Sequence, residues 1–153
     1  MSAFRFRLET VRKLREDNEM ESAGELASAM AEAGSADAEA ERLANMEEAG
    51  RSEMSRLSGD LGRQKSVAVI LEHLAEHRAV AERACHVAKD KVEARVEAFR
   101  EAVTKRRAID RLKEKQFEEW DTDARRREQK ATDEINSNRH GAAETVPGGV
   151  SKD

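Results

Sequence analysis

IDRLKEKQFEEWDTDARRREQKATDEI, residues 109–135, decides the fold. Good helix formers dominate it, neither Pro nor Gly interrupts it, and Ile109, Leu112, Phe117, Trp120, Ala124, Ala131 and Ile135 recur roughly one helical turn apart. The remaining faces are almost wholly charged, with acids and bases interspersed at spacings of three and four that let them pair along a helix surface. A narrow apolar seam on a charged helix suits one partner helix rather than a globular core. The segment is therefore half of a coiled coil.

The rest of the 153-residue chain agrees. Charged residues make up 39% and aromatic residues 3%, which leaves little bulky apolar material to fill a compact centre. Abundant Ala, Glu, Arg and Lys with helical periodicity mark long helices. Strong charge and low hydrophobicity also describe unfolded chains, but the regular apolar spacing favours helices. With 28 basic against 32 acidic residues, the net charge of −4 offers no broad footprint for nucleic acid. The triplets Lys105-Arg106-Arg107 and Arg125-Arg126-Arg127 are flanked by acids or seam positions, so they read as solvated helix faces. One cysteine, Cys85, fits a reducing compartment. No apolar run approaches the ~20 residues of a membrane span, and no signal-peptide core opens the chain. The expectation is a cytoplasmic protein with no direct membrane insertion.

From the beginning, Phe4, Phe6 and Leu8 alternate, which suits either an extended lead-in or the apolar start of a helix. Val11 and Leu14 continue at helical spacing and favour the helix. From residue 26 to 57 the expected seam is Leu26, Met30, Ala33, Ala36, Ala40, Leu43, Met46, Met54 and Leu57, with Gly24, Gly34 and Gly50 weakening this first helix. Two glycines and several capping residues in 58–66 form the one strong break before residue 136, and Ser66 is the expected cap of the second helix. That helix carries a seam of Leu71, Leu74, Ala81, Cys85, Ala88, Val92, Val96, Phe99, Val103, Ile109 and Leu112.

The expected fold is all-α: two long helices in an antiparallel coiled-coil hairpin over residues 1–137. Helix 1 spans about 4–57, the turn about 58–66 and helix 2 about 67–136, and residues 138–153 form a disordered tail holding the only Pro. If the chain doubles back near residue 62, facing residues have numbers that sum to about 124, so that Phe4 meets Trp120 and Leu26 meets Phe99. The same rule leaves residues from about 121 to 137 overhanging, a surface for another protein or a solvated helix end.

His73-Leu74-Ala75-Glu76-His77 fits the H-x-x-E-H pattern of a zinc peptidase, with two histidines one turn apart. A catalytic site also needs a third ligand and a pocket that excludes water, and a two-helix coiled coil offers neither. There is no Gly-rich phosphate loop, no nucleophile elbow and no carboxylate pair in an apolar setting. The reading is a non-enzyme with no cofactor, no metal and no catalytic residue, acting through long binding surfaces.

Residues 1–26 and 109–135 resemble the FliJ family of flagellar type III export proteins. The likeness lies in Phe4-x-Phe6-x-Leu8, then Val11 and Leu14-Arg15 with acids following, and later in Leu112-Lys113-Glu114-Lys115-Gln116 and Arg126-Arg127-Glu128-Gln129-Lys130 with Asp133-Glu134. Between residues 27 and 105 only the character matches. The resemblance implies a coiled coil similar to the central stalk of rotary ATP synthases, peripheral to the inner-membrane export apparatus and serving flagellum assembly and motility. Its implied partners are the hexameric export ATPase and its regulator, the cytoplasmic domain of the export gate, and export chaperones. Residues expected to contact partners are Phe4, Phe6, Leu8, Leu112, Lys115, Trp120, Arg126, Arg127 and Gln129, with the region around the turn facing the gate. Virulence-type secretion stalks share this architecture, and a generic, even homodimeric, structural coiled coil is the other alternative.

Overall fold

The computed structural model describes residues 3–143, with side chains as far as residue 139. Its fold is all-α: two long helices, α1 (Glu9–Arg56) and α2 (Leu61–Ala143), packed against each other. Two units divide the chain, one made of residues 13–106 and the other of residues 1–12 with 107–153.

In the unit of residues 13–106 the helices run antiparallel, and the expected pairing rule of about 124 is closely followed. Lys91 Nζ donates to Glu32 Oε2 at 2.6 Å, Arg95 pairs with Glu25 at 2.5 Å, Lys89 with Asp37 at 3.0 Å and Arg106 with Glu19. Such half-exposed pairs add little stability individually, but they set direction and register. Between them lies a thin core. Ala29, Leu43 and Cys85 are buried, as is one charged residue, Glu47. The covered positions of α1 step by four and three through Leu26, Ala29, Ala33, Ala36, Ala40, Leu43 and Glu47. Those of α2 do the same through Leu71, Leu74, Arg78, Ala81, Cys85, Ala88 and Val92. This is the 3.5-residue period of a coiled coil.

Met30 and Met46, expected in the seam, are 58% and 45% exposed, and Ala29 and Glu47 hold the seam positions next to them. The heptad phase, not the bulk of the side chain, decides which neighbour turns inward. Glu47 is tolerated there because Arg78 Nη1 reaches its Oε2 at 3.1 Å from the opposite helix while Arg51 approaches its Oε1. Small seam residues bring the helices together closely enough that a Cβ on Gly50 would lie 2.7 Å from Leu71 Cδ2. Leu14 also departs from its expected inward position, at 55% exposed.

The turn is shorter than the sequence suggests. α1 ends at Arg56, and Asp60 N donates to Leu57 O at 3.0 Å across a tight turn in which Gly59 adopts φ of +103°. That left-handed conformation suits Gly and strains residues with a Cβ. Asp60, not Ser66, opens α2: its Oδ1 accepts a hydrogen bond from Arg63 N at 3.1 Å, the geometry of an N-cap. Ser66 sits inside the helix and donates to Gly62 O at 3.3 Å. Gln64 Nε2 donates a second hydrogen bond to the same Leu57 O at 3.0 Å, tying the first turn of α2 to the end of α1.

At its other end α2 continues past Asn136 to Ala143. Asn and Ser are only mildly unfavourable in a helix, and Pro147 lies beyond that point. The expected tail thus begins within the helix, and residues 144–153 lie outside the described ones. Among the described residues no helix is long and apolar enough to cross a membrane.

Candidate partner-binding site

The second unit brings the start of the chain against residues 107–124 of α2. Residues 3–6 are not helical, 7 and 8 form a turn, and α1 starts at Glu9 rather than near Phe4. In an extended segment, residues two apart point to the same side, whereas in a helix they diverge by about 200°. The alternation of Phe4 and Phe6 is therefore used as an extended lead-in that lays both rings on α2. Glu9 N donates to Phe6 O at 3.3 Å and Arg12 N to Leu8 O at 2.8 Å, which closes the first turn of α1.

Phe4 meets Phe117 edge-on, with ring centroids 5.4 Å apart and planes at 83°. It also meets Trp120 at 6.0 Å, as the pairing rule expects. Phe117 and Trp120 stack at 5.9 Å on α2 itself. Three rings in these offset arrangements form a clamp worth more than their buried area alone. Phe6 is buried, and Lys113 Nζ stands 6.0 Å from its ring centroid. The same ammonium donates to Glu9 Oε2 at 2.9 Å, while Arg12 Nε donates to Glu9 Oε1 at 2.9 Å and Arg12 Nη1 approaches Asp110 at 4.0 Å.

These contacts stabilise the ionised form of Glu9. The hydrogen bond from Lys113, and after it the one from Arg12, hold its carboxyl below the ordinary value of 4.5. A carboxyl whose folded pKa is lowered contributes stability that is present above its unfolded value and lost as pH falls through the folded one. Emission from Trp120, the only tryptophan, is therefore expected to hold steady down to about pH 4.5 and to shift below it as the lead-in loosens. Glu9→Gln should lack that acid-dependent component.

Of the residues singled out in the sequence, the structure gathers Phe4 and Trp120 into the ring cluster, with Phe6 beside Lys113. Leu8 is half-buried. Leu112 is 36% exposed, because the seam passes through Lys113 instead. Lys115, Arg126, Arg127 and Gln129 are exposed, and Arg126 and Arg127 line a shallow open groove together with Trp120, Asp123 and Lys130. Lys115 stands 3.9 Å from Glu119, Arg126 3.8 Å from Asp123, and Arg127 Nε donates to Asp123 O at 3.1 Å. The contributions of Phe117, Lys113 and Glu9 were missed as site residues, although the pairing rule places residues 115–120 across from Phe4 and Glu9.

Among the described side chains Ala124 is the last half-buried position of α2, and every residue from 125 to 139 is exposed. The polar groups there pair locally: Arg125 with Asp121 at 2.7 Å, and Thr132 Oγ1 with Glu128 O at 2.9 Å. Ile135 is 58% exposed, so among the described residues nothing covers the apolar stripe expected through Ala131 and Ile135. His73 and His77 are exposed as well, and among the described residues no group of three or more metal-ligating side chains forms.

A family model described as the flagellar FliJ protein matches residues 4–145, a span that opens on the Phe4 lead-in and runs through the exposed end of α2. The chain belongs to the FliJ family. It is a component of flagellar type III protein export, built as the coiled coil that its FliJ-like termini imply. No curated protein and no solved structure matches the chain.

Proposed function

We propose that this FliJ-family chain binds the export ATPase as a central-stalk-like coiled coil, using the exposed end of α2 and the aromatic clamp beside it. The observation that carries this reading is the continuation of α2 beyond Ala124 as a regular helix whose side chains, among the described residues up to 139, are all exposed. A helix with so few apolar contacts gains stability when a partner covers it. Arg126, Arg127 and Gln129 supply exposed polar contacts on it, and Lys115 supplies one earlier along α2. Phe4, Phe6, Leu8 and Trp120 fix the chain that leads into α1, and Leu112 adds an exposed apolar contact next to them.

The ATPase regulator, the cytoplasmic domain of the export gate and export chaperones are its further partners, with the turn around Gly59 facing the gate. The chain works at the cytoplasmic face of the inner membrane, binds no nucleic acid, and catalyses nothing itself. Its part is to promote assembly and turnover of the ATPase ring. The flagellar family match favours this over a virulence-type stalk, and the ion pairs made within one chain favour it over a coiled coil that needs a second chain to fold.

Binding to the purified export ATPase tests the site. Arg126→Glu and Arg127→Glu alter exposed side chains only, so helicity should match wild type while affinity for the ATPase drops at least about tenfold, as for loss of a contact worth about 1.4 kcal/mol. Equal binding by wild type and both variants would remove the exposed end of α2 from the site.

A further inference from the structure

The unit of residues 13–106 carries a second apolar stripe that the pairing of α1 with α2 does not use. Along the outer face of α2, Ile70, His73, His77, Val80, Ala84 and Val87 succeed one another at alternating spacings of three and four. Ile70 is 57% exposed, Val80 56% and Val87 69%. A stripe of this period is itself a coiled-coil seam, because alternating steps of three and four keep one face toward a neighbouring helix. Branched aliphatic side chains gain nothing from solvent, and the α2 residues outside both stripes are mostly charged or small.

We propose that a second copy of this chain docks antiparallel along this stripe, with a two-fold axis passing between His77 and Val80. The order of residues is what selects a second copy as the occupant. Turning α2 about that axis sets Ile70 against Val87 of the second copy, His73 against its Ala84 and His77 against its Val80. Every pair then joins one position from each of the two rows of the seam, as antiparallel packing requires. Self-complementarity of this kind is the property of a two-fold interface.

The edge of the stripe is self-complementary in charge too. Glu76 and Arg83 lie two turns apart on the same edge, and the two-fold brings Glu76 opposite Arg83 of the second copy on both sides of the axis. Charged residues in such flanking positions choose partner and orientation in coiled coils. Among the described residues Glu76 pairs only with His73, at 3.8 Å, and Arg83 makes no ion pair. Ser66 and Lys91 meet at the two ends and close the apolar run.

The interface is short, at the small end of the range for specific contacts, so the dimer is reversible with a dissociation constant on the order of micromolar to tens of micromolar. It forms between folded hairpins. Dilution should lower the mass without lowering the helicity, unlike a coiled coil that needs two chains to fold.

Sedimentation of the full chain from about 1 to several hundred µM, with helicity recorded in parallel, tests the proposal over the range set by that dissociation constant. The wild type is expected to pass from monomer to dimer. Val80→Glu should raise the dissociation constant at least tenfold at unchanged helicity. Glu76→Arg and Arg83→Glu set like charges against each other in their own homodimers, so each alone should remain monomeric, whereas an equimolar mixture of the two should dimerise by pairing Arg with Glu at both edges. A wild type that stays monomeric throughout would overturn the proposal. So would a dimer that both single charge reversals leave intact, or single variants whose mixture associates no better than either alone.

Discussion

Leu43→Asp is expected to cost the chain at least about 3 kcal/mol of folding stability, whereas Met46→Asp, three residues away, should change it by less than about 0.5 kcal/mol. Leu43 is one of the few buried apolar side chains and sits one turn before the buried carboxylate of Glu47, while Met46 is 45% exposed. Truncating a buried Leu typically removes about 2–5 kcal/mol, and a new carboxylate beside Glu47 adds the cost of a second desolvated anion. A seam with so thin a core has little else to offset the loss. Thermal unfolding followed by circular dichroism measures both variants. Equal destabilisation by the two would mean that the seam passes through Met46, contradicting the heptad phase seen here.

Phe4→Ala is expected to release the lead-in from α2. Phe4 makes two of the three ring contacts in the aromatic cluster. Each such contact is worth about 0.5–1.5 kcal/mol beyond area burial. The loss should expose Trp120, shift its emission to the red and leave the bulk of the helicity in place, because α1 starts only at Glu9. On the proposed stalk reading, affinity for the export ATPase should also fall, with Phe4→Leu falling less. Fluorescence of the single tryptophan and binding of the ATPase are read on the same samples. An unchanged emission spectrum would mean that Phe4 does not pack on Trp120 in solution.

Much of this fold is legible in the sequence because the period of a coiled coil is local. The apolar recurrence in residues 109–135 identifies a helix needing one partner, and the glycines near residue 60 supply the only place to reverse. With those two facts the pairing of Phe4 with Trp120 follows by arithmetic. The seam was harder to read at individual positions. Met30 and Met46 are more apolar than Ala29 and Glu47, yet they lie outside, since a carboxylate can occupy the seam when Arg78 reaches it from the other helix. That compensation depends on a residue far away in the chain and leaves no local signal. The same holds for Leu112 and Lys113, where Glu9 makes the lysine the better seam residue.

The lead-in shows a different limit. Alternating Phe4 and Phe6 and helically spaced Val11 and Leu14 overlap within a few residues, and periodicity alone did not say where one gives way to the other. The structure settles it: residues 3–6 are non-helical, with Phe4 and Phe6 covered and Arg5 between them exposed, and α1 starts at Glu9. At the turn, Asp60 and Ser66 are both capping types, and the tight reversal at Gly59 selects the earlier one. The arginines on α2 are singled out only by resemblance to FliJ sequences, since neither their spacing nor their exposure distinguishes a contact surface from a solvated helix face.

The central claim is that this chain acts on the flagellar export ATPase, and the hydrolysis rate of that enzyme tests it most directly. The rate is measured across ATPase concentration, with and without the full chain, while assembly of the ring is followed in the same solutions. The stalk reading predicts stimulation that saturates with added chain, accompanied by ring assembly and reduced by Arg126→Glu. A rate and an assembly state indifferent to the chain at every concentration would contradict it.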